Sequence, residues 1–121
     1  MSRTRHYRDL IAWQKAMDLA GLAYEKTETF PNSETFGLRM QIRRSAVSVA
    51  SHIAEGHGRL NDAEMRKGLG SSRAALNEFE TQVELAKSLS FLQPEAADKL
   101  LDLASEVGKL INGLIGVLAQ A

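Results

Sequence analysis

Apolar side chains recur at alternating three- and four-residue steps in four successive stretches of this chain, and no stretch alternates apolar with polar residues as a strand does. That spacing keeps the apolar residues on one stripe of a helix, so the chain is expected to form four amphipathic helices. The first runs from about Arg8 to Thr29, with Leu10, Trp13, Met17, Ala20, Tyr24 and Thr27 inward. It ends at Phe30-Pro31, because proline disfavours helical geometry in the residue before it. Asn32 or Ser33 is the expected cap of the second helix, which continues to about Glu55 with Leu38, Ile42, Val49 and Ile53 inward. Gly56 and Gly58 then supply a left-handed stop. The third helix opens at Asn61-Asp62-Ala63-Glu64, a cap residue with an acid three positions on, and carries Met65, Leu69, Ser72, Leu76, Phe79, Val83 and Ala86. It stops near Ser90 to Gln93. Pro94 suits the first turn of the fourth, whose stripe is Ala97, Leu100, Ala104, Val107, Ile111, Leu114 and Leu118.

Long helices joined by short breaks pack against their sequence neighbours in opposite directions. The expected fold is therefore all-α, an antiparallel up-down four-helix bundle, with residues 1–121 as a single domain. A chain of this length buries roughly two-thirds of its unfolded surface and needs no disulfide or metal to hold it. It has no cysteine, which removes disulfides, thiolate nucleophiles and cysteine-based zinc sites and points to a reducing cytoplasm. Met1 to His6 is polar and basic with no apolar run behind it, unlike a signal peptide. Nowhere do about eighteen apolar residues follow one another, so no membrane span is expected.

Fifteen basic side chains balance fifteen acidic ones, a poor global match to nucleic acid. The distribution is uneven, with eight basic and five acidic residues in 1–44 against seven and ten in 45–121. Arg39, Arg43 and Arg44 lie near the start of the second helix, and Arg59, Arg66 and Lys67 extend the set across the following loop. Arginine's fork of donors suits phosphate, so these six residues are the candidate nucleic-acid contacts. The competing reading pairs the same arginines with acids on neighbouring helices or subunits.

Other polar groupings point to no chemistry. Glu80 and Glu84 stand one turn apart beside Glu78, yet a bundle metal site wants Glu-x-x-His motifs, and none of His6, His52 or His57 stands three residues after a glutamate. Ser51, His52 and Glu55 are close in sequence, but near neighbours on one helix point apart and do not converge as a triad must. Gly68-Leu69-Gly70-Ser71 has neither the strand nor the lysine of a phosphate loop. No cofactor, metal, small-molecule substrate or enzymatic activity is expected. Glycines inside the helical pattern (Gly68, Gly70, Gly108, Gly113, Gly116) imply close backbone approach, for instance between subunits, or fraying near the C-terminus for the last two.

Apolar surplus bears on assembly. Beyond the main stripes, Ile11, Ala12, Ala16, Leu19 and Ala23 in the first helix, and Ala74, Ala75, Leu85 and Leu89 in the third, form second stripes. A helix with two apolar faces is usually covered on both, which predicts a homo-oligomer.

The run Gln41-Ile42-Arg43-Arg44-Ser45-Ala46-Val47-Ser48-Val49, followed by Ile53-Ala54-Glu55-Gly56, resembles the signature of the four-helix-bundle family named after the 23S rRNA intervening-sequence protein, also called the S23 ribosomal protein family. Asp9-Leu10 with Trp13 and Ala16, Phe30-Pro31 with Glu34 and Phe36-Gly37-Leu38, and Gly70-Ser71 with Glu78 and Glu80 agree in kind. The resemblance implies a homopentameric ring without established catalytic residues. The family is found in insertions of bacterial 23S rRNA genes and is similar to basic pentameric accessory proteins of retroelements, which bind nucleic acid. Ala50 and His52 replace a proline and an asparagine usual in the family, which should leave the second helix straighter. On this basis Arg43, Arg44, Glu55, Glu78, Glu80 and Trp13 are the expected structural or interface residues, with an arginine fork gripping a carboxylate on an adjacent helix.

Overall fold

In a computed structural model, which describes residues 6–120 (the side chain of Gln120 excepted), four α-helices follow one another: α1 Ile11–Lys26, α2 Leu38–His57, α3 Asp62–Ser88 and α4 Pro94–Gln120. Short 3-10 turns at Tyr7–Asp9 and Asn32–Glu34 precede α1 and α2, and no strand occurs among the described residues. Met1 to Arg5 and Ala121, parts of the terminal segments discussed above, lie outside them. α3 and α4 have 27 residues each, about 40 Å of helix. Each helix packs on its sequence neighbour, and α1 also packs on α4, which closes the four around one core. No described helix is long and apolar enough to cross a membrane.

The core follows the expected stripes in α2, α3 and most of α4. Leu38, Ile42, Val49 and Ile53 are buried, as are all seven residues from Met65 to Ala86. Ala97, Leu100, Ala104, Val107 and Ile111 are buried too, while Leu114 and Leu118 are half-buried.

In α1 the core is shared between the two stripes: Leu10, Ala20 and Thr27 of the expected one are buried, and Ile11 of the second is 55% exposed. Ala12, Ala16, Leu19 and Ala23 face the core, whereas Met17 and Tyr24 remain 47% and 46% exposed and Trp13 is half-buried. The stripes differ by one residue, about 100° of rotation. Alanines inward bring α1 close to its neighbours, and the bulkier side chains are turned outward.

The helix ends also depart from expectation. Neither Asn32 nor Ser33 caps α2. Glu34 does, its Oε1 accepting from the Leu38 N–H at 2.9 Å. At its other end α2 continues to His57 without a left-handed stop, since no described glycine has positive φ and Gly58 sits at φ −74°. Gly56 is instead buried against Gly68 of α3, so this close approach joins two helices of one chain. Gly70, Gly113 and Gly116 face open space, and α4 passes through the last two as continuous helix. The Asn61 cap forms as expected, its Oδ1 accepting from the Glu64 N–H at 2.9 Å.

Candidate functional site

The six basic residues grouped from the sequence do not form one patch. Arg39, Arg43 and Arg44 sit in the first two turns of α2, while Arg59, Arg66 and Lys67 lie beyond its far end and at the start of α3. Thirteen helical steps, about 20 Å along the axis, run from Arg44 to the end of α2 at His57, two residues before Arg59.

The first group gathers around the C-terminus of α1. Thr27, the residue after α1, is fully buried, and its hydroxyl donates to the Ala23 carbonyl at 2.7 Å. Arg43 crosses from α2 to meet it. Its Nε donates to Thr27 Oγ1 at 2.8 Å, and its Nη2 donates to the Tyr24 carbonyl at 3.1 Å and to Glu28 Oε2 at 3.2 Å. Its guanidinium also lies 4.4 Å from the centroid of the Tyr24 ring, within cation–π range. A positive group at this place suits the carbonyl end of the helix dipole.

Arg39 reaches the same Glu28 oxygen at 3.5 Å, and its Nε is buried with no hydrogen-bond partner among the described residues. Both arginine side chains are only 19% exposed, against 73% for Glu28. Arg44, one residue on, is exposed and makes no hydrogen bond or ion pair among the described residues.

These side chains line an open groove of about 440 Å³ between α1 and α2, shared by Tyr24, Thr35, Arg39, Met40, Arg43, Arg44 and Val47. Three arginines around an apolar floor of Tyr24, Met40 and Val47 make a surface suited to an anionic partner with an apolar body. A smaller groove of about 340 Å³ runs between α2 and α3, where Arg44, Ser45 and Ser48 face Ala75 and Glu78.

The remaining residues singled out in the sequence lie apart from this groove. Glu55 pairs with Arg59 at 3.8 Å on its own helix end and not with Arg43 or Arg44. Arg66 is exposed, and Lys67 pairs with Glu64 at 3.4 Å. Glu78 is exposed and accepts from Gln82 Nε2 at 3.5 Å. The Glu80 carboxyl is held above the usual carboxylate range, first by burial and then by the charge of Glu84. No set of three or more His, Asp or Glu able to hold a metal occurs among the described residues. His52 folds back on its own helix, with Nδ1 2.9 Å from the Ser48 carbonyl and 3.0 Å from Ser48 Oγ, while Ser51 is exposed. Trp13 stacks edge-on to Tyr7, ring centroids 5.2 Å apart.

Two features escaped the sequence reading. Glu28, the acid that joins Arg39 and Arg43, lies beyond the regular part of α1, and only its position just past the helix end hints at it. The polar seam of α2 and α3 was also missed. There Ser45 Oγ donates to Gln82 Oε1 at 2.7 Å, and buried Ser72 Oγ donates to the Val49 carbonyl at 2.6 Å. Ser72 stood in the apolar stripe, with no sign that its hydroxyl had a partner.

The family model described as 23S rRNA-intervening sequence protein matches residues 8–113. A crystal structure of a protein of unknown function from the S23 ribosomal protein family of Bacteroides thetaiotaomicron superposes with a TM-score of 0.78 at 21% sequence identity, covering 87% of this chain and 98% of that one. Likeness at that identity is likeness of fold. No curated protein matches the chain.

Proposed function

Because the chain belongs to the 23S rRNA-intervening sequence protein family, we propose that it acts by assembly and not by catalysis, as a homo-oligomeric interaction or scaffold protein of the cytoplasm. In this reading residues 1–121 form one domain whose helices run alternately up and down, and five copies make the ring. Cross-helix contacts support the alternation. Ser45 meets Gln82, Val49 meets Ser72 and Gly56 meets Gly68, so positions rise along α2 as they fall along α3. Arg73 with Asn112 and Lys87 with Asp98 follow the same rule between α3 and α4. The lack of cysteine fits a reducing compartment.

The observation that carries the proposal is the orientation of α1. Ala12, Ala16, Leu19 and Ala23 fill the core, while Met17 and Tyr24 stay on the surface, Tyr24 in one groove with Met40 and Val47 of α2. Apolar side chains grouped outside a core mark a contact site for another molecule. Sedimentation equilibrium over a range of concentrations tests this. The expected species has the mass of five 13.3-kDa chains. A single-chain mass at high concentration rejects the proposal.

A second reading is RNA or DNA binding through the arginines repeated around such a ring. Exposed Arg44, without a partner among the described residues, favours it. Any such contact comes from Arg39, Arg43 and Arg44 at one end of α2, with Arg59, Arg66 and Lys67 as a separate cluster at the other. Binding that releases counterions must fall steeply with salt. No mobility shift of an rRNA fragment at low salt, or a shift indifferent to salt, rejects this reading.

A further inference from the structure

We propose that the arginine groove of one chain seats the outer face of α3 of a second copy, in a head-to-tail contact that repeats around the assembly. The proposal rests on the oligomeric reading above and adds which two surfaces meet. On α2, Met40 and Val47 lie two turns apart on one line, 38% and 43% exposed, beside Tyr24 of α1. Arg43 and Arg44 stand about 50° to either side of that line. On α3, Ala74, Thr81 and Leu85 form an exposed line, with Glu78 on one side of it and Glu84 on the other. Leu85 is 49% exposed. One surface is basic, apolar, basic across its width, and the other is acidic, apolar, acidic. Helical pairs are matched by this device when charges flank an apolar seam.

The charges also decide between modes of assembly. Two grooves placed face to face bring Arg44 against Arg44, and like charges in contact exclude that pairing. Groove against α3 neutralises both, in keeping with a net charge of zero. Because the two surfaces lie on different helices, the contact is not self-complementary. Each copy offers a groove to one neighbour and an α3 face to the other, the arrangement that closes into a ring. Arg44 and Glu78 of one chain border the same small groove without an ion pair between them, and Glu78 accepts from the neutral Gln82 amide, which leaves both charges for a neighbour.

The test uses two charge reversals at exposed positions, R44E and E78R, in the full chain, with helical circular dichroism to confirm folding. Each variant alone is expected to associate about tenfold more weakly or worse than wild type. The double variant R44E/E78R is expected to recover, since every contact then carries the same pair with its charges reversed, whereas an equimolar mixture of the single variants leaves one like-charge contact in a ring of five and recovers in part. A wild type that stays monomeric removes the oligomeric reading itself. An oligomeric wild type whose single variants assemble as well as wild type, or whose double variant fails to recover, overturns this pairing alone. Cysteine pairing supplies a second measurement in a chain that has no cysteine of its own. M40C mixed with L85C under mild oxidation should give the mixed disulfide dimer in excess over either homodimer, and cross-linking with no such excess overturns the contact.

Discussion

Gly56 and Gly68 hold the backbones of α2 and α3 in direct contact: a Cβ placed on Gly68 would lie 2.6 Å from the Gly56 Cα and 3.1 Å from the His52 carbonyl oxygen. Both obstacles are backbone, so no rotamer change relieves them, and an alanine at Gly68 must push the helices apart. The cost of such overpacking, about 1–3 kcal/mol, exceeds the roughly 1 kcal/mol that alanine gains over glycine within a helix. Gly68→Ala is expected to lower the thermal midpoint. Gly70→Ala, two residues on and facing open space, should raise it. Thermal unfolding of the pair at one protein concentration checks the contrast, and equal shifts would contradict it.

Arg43 ties α2 to the end of α1 through three acceptors, of which Thr27 is fully buried. Removing the guanidinium in Arg43→Ala leaves the Tyr24 carbonyl and the Thr27 oxygen without that donor, at about 1–3 kcal/mol. Glu28 is largely exposed, so Glu28→Gln should cost under about 1 kcal/mol. Denaturant midpoints of the two variants are expected to differ in that order. A Glu28 variant as unstable as the Arg43 variant would mean that the ion pair, and not the buried hydrogen bonds, carries the contact.

Periodicity made the core face of α3 readable in full, because Met65, Leu69, Leu76, Phe79 and Val83 occupy one stripe and outweigh the second set of Ala74, Ala75, Leu85 and Leu89. α1 was misread in part, because its two stripes about 100° apart are more evenly matched. Leu10, Ala20 and Thr27 of the expected stripe are buried, but Ala12, Ala16, Leu19 and Ala23 turn inward where Met17 and Tyr24 were expected. Apolar residues alone do not say which face is covered by this chain and which by something else. The arginine cluster was legible as charge, but its division between two ends of α2 depends on where that helix stops. Glu28 belongs to an irregular turn that periodicity does not describe.

Glu80 is half-buried near Glu84, and its carboxyl titrates above the ordinary value of 4.5. The folded state therefore holds the proton more tightly than the unfolded chain. The resulting stabilisation is fully present below pH 4.5 and is lost as pH rises through the raised value. Glu80→Gln, which keeps the shape without the charge, should be more stable than wild type at neutral pH, with the difference shrinking as pH falls through the acid range. Urea unfolding at pH 4 to 7 measures the trend, and a pH-independent difference would locate the effect in packing.

Ser90 carries the one positive φ, 64°, among the described non-glycine residues, in the corner between α3 and α4. Its N–H donates to the Lys87 carbonyl at 3.0 Å, and the next N–H, of Phe91, reaches back to the Ala86 carbonyl at 2.9 Å. These bonds turn the chain sharply enough to bring Phe91 beside Phe30, ring centroids 5.7 Å apart, at the rim of the core. A left-handed residue with a Cβ costs roughly 1–2 kcal/mol, which glycine avoids. Glycine's larger loss of chain entropy on folding takes back part of that gain. Ser90→Gly is therefore expected to stabilise the protein by about 0.5–1 kcal/mol, and Ser90→Val, β-branched at the same φ, to destabilise it by more than that. If the glycine variant unfolds at a lower denaturant midpoint than wild type, the serine hydroxyl and not the backbone conformation governs the corner.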